Sequence, residues 1–253
     1  MTIQTIEPPD LQAFLGRWYQ MYGSASSTLL TFGNAGPQDT CTSADYTLAD
    51  DGSTIRVLNQ GLRGSDGVVT KIWGEAAATD RPGQRKLRFE KFLRGDEEIE
   101  APDFEGDYWI YRLGPAVASA EGAGGLQYAY AIVGGPAKPE WGLDKTQLFV
   151  LARDPATFRE EYDQEVLDWT AANGFDWWWN RPRATGSVGK FRWFPYPKFT
   201  DGDGGRGEFV QEGCAACAGL EPPCNGSADP RATGGATSGS TSVETARQPS
   251  VQE

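Results

Sequence analysis

The chain has no histidine among its 253 residues. That absence removes Ser-His-Asp and Cys-His catalysis, a histidine-ligated haem, and most zinc and non-haem iron sites. Any chemistry here must use carboxylates, Tyr, Lys, Arg or Cys. Basic residues are scarce: 23 Lys and Arg stand against 35 Asp and Glu, a formal net charge of -12. So acidic a chain repels phosphate backbones and anionic surfaces, which argues against nucleic acid as a partner. No apolar run approaches the length of a membrane-spanning helix, so no integral membrane segment is expected. The opening "MTIQTIEPPD" has neither a basic n-region nor an apolar h-region, so no leader is expected in it.

Cysteine is also sparse. Cys41 stands alone, and Cys214, Cys217 and Cys224 cluster late. "CAAC" has the spacing of a redox pair or of half a zinc site. A redox pair normally opens a helix after a strand, whereas this one lies in a Gly-rich tail. A zinc site would need a fourth ligand, and only the distant Cys41 remains. Disulfides are therefore the preferred reading, and no metal site is assigned. Disulfides favour an oxidising compartment or secretion. The absence of a leader favours the cytoplasm, if these residues are the complete natural chain.

What is present is a series of β-rich segments parted by turn signals. After one capped helical turn in "PPDLQAFLG", strands are expected at 16–24, 41–49, 54–60, 68–78, 85–93, 106–113, 127–134 and 146–153. "DDGS" joins the second and third as a hairpin. Eight strands with no intervening helix predict an all-β, up-and-down antiparallel barrel. The period then changes. Asp154 caps and Pro155 opens a helix whose Phe158, Tyr162, Val166 and Trp169 share one face, and Asn173-Gly174 ends it. That face is expected to pack on the outside of the barrel. The barrel and helix are assigned to 8–175, an aromatic and Cys-containing extension to 176–224, and a disordered tail to 225–253.

This order of elements resembles the lipocalin family, in its apolipoprotein D and bacterial lipocalin branch. "GRW" (Gly16, Arg17, Trp18) is similar to the family's Gly-x-Trp. "GDYWIYRL" with the later "YAIVGGP" resembles its second conserved region. "LFVLARDP" resembles the third, with Arg153 in the place of the family's arginine. The resemblance implies that Trp18 points into the closed end of the barrel under the Arg153 guanidinium, with Gly16 leaving room beside them. It also implies that Cys41 bonds a cysteine near the C-terminus.

With Trp18 and Arg153 placed inward by the resemblance, strand alternation assigns a lining. Gln20 and Tyr22 follow Trp18, and Phe149 and Leu151 precede Arg153. Tyr46 points inward by the family match, with Ala44 and Leu48. Leu87 and Phe89 form the apolar face of their strand. Tyr108 with Ile110, and Tyr130 with Ile132, are chosen on strands whose two faces are both apolar. Such a lining suits a small hydrophobic ligand. The expected function is a non-catalytic carrier of a lipid, sterol, retinoid, carotenoid or bilin, with no required cofactor. A barrel filled by its own side chains is the alternative.

Two other functions fit the resemblance. Lipocalin-fold isomerases use a thiol, which would need Cys41 free inside the barrel. De-epoxidases use carboxylates, and Asp45 and Asp107 lie on strands but alternate outward. A third reading makes Trp177, Trp178 and Trp179 an aromatic contact surface for a protein or a lipid interface.

Overall fold

The structure is a computed structural model that describes residues 3–24, 26–27, 40–62, 69–101, 105–119, 125–136, 146–177 and 180–185. The chain opens with the helical turn α1 (Leu11–Phe14), started by the Asp10 carboxylate, which accepts from the Gln12 and Ala13 amides. Strands β1 (Gly16–Gly23), β2 (Thr40–Leu48), β3 (Ile55–Leu62), β4 (Val69–Ala78) and β5 (Gln84–Arg94) follow as an antiparallel series. The short β6 (Glu97–Glu100) folds back on β5. β7 (Glu105–Leu113) is next, then β8 (Ala116–Ala118) and β9 (Leu126–Tyr128), which pair only with each other. β10 (Tyr130–Pro136) and β11 (Thr146–Ala152) complete the wall. The order is β11-β10-β7-β5-β4-β3-β2-β1, and β11 also pairs with β1, so eight strands close into a barrel as the sequence predicts.

After the barrel, the Asp154 side chain accepts from the Thr157 amide at 2.6 Å and starts a helical run. It comprises α2 (Pro155–Thr157), one wide π-helical segment (Phe158–Tyr162) and α3 (Asp163–Ala172). Gly174, at φ 84°, supplies the left-handed residue that ends it. Phe158 and Val166 are buried against the outer faces of β10 and β11, in one cluster with Tyr130, Ile132, Leu148 and Val150. Tyr22 donates to Asp163 Oδ1 at 2.5 Å, and Tyr130 to Glu165 Oε1 at 2.9 Å, so the helix is also tied to the wall by hydroxyls.

The chain then returns to the barrel. Phe175 is buried against Trp169 and Tyr111. The two-residue β12 (Arg183–Ala184) pairs with Tyr22 and Gly23 of β1. Trp178, Trp179, the side chain of Cys41, and Cys214, Cys217 and Cys224 lie outside the described residues, as do the disulfide pairing and the tail assigned to them. Among the described residues no helix is long and apolar enough to cross a membrane.

Candidate functional site

One end of the barrel is closed by packed side chains. Trp18 is fully buried there, its indole N–H donating to the Phe14 carbonyl at 2.9 Å. The Arg153 guanidinium carbon lies 3.6 Å from the centre of the indole ring. Its Nη1 donates to the Arg17 carbonyl at 2.6 Å. Its Nη2 donates to the carbonyls of Ala13 and Leu15 at 3.0 and 2.6 Å. One cation thus serves three carbonyls around the end of α1. Gly16 adopts φ 92°, and a Cβ at that position would stand 3.3 Å from Arg153 Nη1, so both backbone shape and space favour glycine. Arg85, 2% exposed, adds a second cation to this end. It donates to the Ser53 carbonyl at 2.7 Å and pairs with Glu7 at 3.1 Å.

Above this plug lies a cavity of about 90 Å³. Gln20, Tyr46, Phe89, Tyr108, Phe149 and Leu151, all assigned to the interior from sequence, line it. Ile110 faces inward too but is packed into the plug beside Trp18 and Phe14. Leu48, two residues beyond Tyr46, is half-buried and does not line the cavity.

Three assigned residues face the other way. Tyr22 lies on the outer face because β1 carries a bulge: Gln20 pairs with Leu151, but Tyr22 pairs with Val150. The extra residue, Met21, reverses the alternation. Tyr130 and Ile132 sit opposite Ala152 and Val150 on the face under the helix. Their neighbours Ala131 and Val133 turn inward instead, Ala131 into the plug and Val133 onto the cavity wall. The helix makes the outer face of β10 as apolar as its inner face, so hydrophobicity could not separate the two.

The sequence reading also missed a polar share of the lining. Asn59 and Gln60 come from β3, Thr70 from β4, Gln147 from β11, and Thr42 and Ser43 from β2. The alternation Ile55, Val57, Asn59 on β3 and Thr70, Ile72 on β4 carries the signal for them. Uncharged amides and hydroxyls are therefore interleaved with Val57, Ile72, Leu87 and Phe149. Asp107 reaches the wall, but its carboxylate accepts from Lys86 Nζ at 2.7 Å. Asp45 is held by Arg17 in a two-point ion pair, with both contacts at 2.7 Å. Each carboxylate is thus engaged by its own cation.

At the cavity floor the Tyr46 and Tyr108 hydroxyls lie 3.0 Å apart, with their rings edge to face. Burial pushes the Tyr46 phenol up to about 12 and the Tyr108 phenol well above its ordinary value. Both stay protonated at any physiological pH.

A closed antiparallel barrel, plugged by a stacked indole and guanidinium and hollow above them, defines the class. The family model described as "Lipocalin-like domain" matches residues 9–179, and the chain belongs to that family. Among solved structures, the chain is similar to insecticyanin from the tobacco hornworm Manduca sexta. The two are 18% identical with a TM-score of 0.43, over 68% of this chain and 77% of that one. It is also similar to the major allergen Per a 4 from cockroaches, at 15% identity and a TM-score of 0.40, over 73% of this chain and 92% of that one. No curated protein matches the sequence.

Proposed function

We propose that the protein binds one small, largely hydrophobic molecule in the barrel and carries it without transforming it. The observation behind this reading is the hollow above Trp18, walled by apolar side chains and uncharged polar ones, with Asp107 the one charged residue among the described lining and paired with Lys86. Burying apolar ligand surface there would contribute about 25 cal/mol per Å², less the cost of ordering. Drug-sized sites run to roughly 300–1,000 Å³. At about 90 Å³ the hollow suits a slim molecule, or one end of a longer one. Of the expected classes, linear lipids and retinoids fit this better than sterols or bilins. The carboxylate route to catalysis gains no support, since Asp45 and Asp107 are each paired with a cation.

The test is titration with N-phenyl-1-naphthylamine, a neutral fluorophore that brightens in apolar surroundings. Saturable binding at one site is expected. Leu87→Trp, which fills the hollow from β5, should abolish the signal while the circular dichroism spectrum stays unchanged. No binding by the unmodified protein, or equal binding by the filled variant, would place the ligand elsewhere or nowhere.

A further inference from the structure

We propose that the Tyr46–Tyr108 pair is a polar anchor, which makes the barrel selective for an uncharged ligand carrying a terminal carbonyl or hydroxyl oxygen, held oxygen-down at the floor. The proposal rests on the carrier reading and specifies the chemistry of that same site.

The argument begins with hydrogen-bond inventory. Two phenols carry two O–H donors and several lone pairs. One O–H is spent between the two oxygens, 3.0 Å apart. The structure gives neither hydroxyl any other hydrogen bond, so one donor and most of the lone pairs remain. Both residues line the cavity and both are buried, at 4% and 8% exposure. A buried donor left without an acceptor is costly, and a ligand oxygen seated here would satisfy it.

The surroundings set the charge. Behind the floor lie two guanidiniums. Arg85 is neutralised by Glu7, and Arg153 is spent on three backbone carbonyls across the far side of the indole. Neither lines the cavity. Their fields favour an electron-rich oxygen at the phenols, yet among the described lining residues there is no cation to touch a ligand. A carboxylate would have to shed its water with no contacting counter-charge, which is strongly unfavourable. A carbonyl or hydroxyl has far less to lose. Higher up, Asn59, Gln60, Gln147 and Thr70 are likewise uncharged, so the walls offer a carboxylate no better seat.

The experiment uses the full chain and four ligands of one chain length: octanol, octanal, octane and octanoate, measured by calorimetry at pH 8 and again at pH 5. Octanol and octanal are expected to bind with affinities that do not change between the two pH values. Octanoate should bind at least tenfold more weakly than octanol at pH 8 and gain as it is protonated toward pH 5. Tyr46→Phe and Tyr108→Phe should each weaken octanol and octanal by about three- to tenfold, leaving octane unchanged. The charge comparison needs no variant, so it stands even if a substitution disturbs folding. Octanoate binding as tightly as octanol at pH 8 would overturn the anchor. So would Tyr→Phe variants that fold normally and keep full affinity for octanol. If even octane fails to bind, the carrier reading itself fails, and the anchor with it.

Discussion

Arg153 joins three stretches of chain through one side chain: the end of α1, the start of β1 and the end of β11. Its removal would strand three carbonyls and expose the indole face. A cation over Trp contributes about 0.5–2 kcal/mol, and a hydrogen bond about 0.5–1.5 kcal/mol net. Arg153→Ala should therefore lower stability by roughly 2–4 kcal/mol, read as a shift in the urea midpoint. Arg153→Lys keeps the charge but cannot span the three carbonyls as a planar fork, so it should recover only part of the loss. A midpoint unmoved by either substitution would mean that the plug does not hold the closed end together. Trp18, Arg153 and Gly16 were legible in the sequence because their short motifs resemble a family's. Arg85 was not legible. It sits in "RKLRFEKFL" among other cations, and only the fold brings Glu7 and the Ser53 carbonyl to it.

At the level of elements, the strands could be read because turn residues and alternation agree. The register of β2 with β3, from Leu48 opposite Ile55 back to Ser43 opposite Gln60, follows from the hairpin at Asp51-Gly52, before an irregularity between Ser43 and Thr40 shifts it. Facing was harder. The Met21 bulge turns Tyr22 outward, and no composition signal marks a bulge of this kind. On β10, a covering helix removes the polar face that would have oriented the strand. That helix depends on Phe158, which is 1% exposed beneath it, between Tyr22 and Tyr130. Phe158→Ala should cost about 3–5 kcal/mol. It should also speed proteolysis within 155–172 more than cleavage within the barrel strands, as limited digestion with mass-spectrometric mapping would show. Equal protection of the helix in both proteins would argue that its other contacts suffice.

For the molecule as a whole, the absence of histidine reaches into pH behaviour. No histidine is present, and the ordinary value of cysteine is about 8.5, so stability should change little between about pH 6 and 8. The alkaline side differs. Tyr46, Tyr108, Tyr111 and Tyr130 are all raised, chiefly by burial. A phenol raised in the folded state stabilises fully below its unfolded value, near 10, and loses that contribution as pH climbs through the folded value. Tyr46, pushed up to about 12, would alone account for about 3 kcal/mol across that window. Urea midpoints should hold to about pH 8 and fall most steeply above about pH 10. Tyr46→Phe should blunt the fall, and an unaltered decline would assign it to other groups. The short strand β12 bears on how the protein can be handled. The Thr185 amide donates to the Met21 carbonyl at 2.9 Å, so the chain is still stitched to the first strand at its last described residue. Shortened versions must retain Thr185. A cut before Arg183 would bare the hydrogen-bonding edge of β1 beside Gly23, inviting molecules to pair strand to strand.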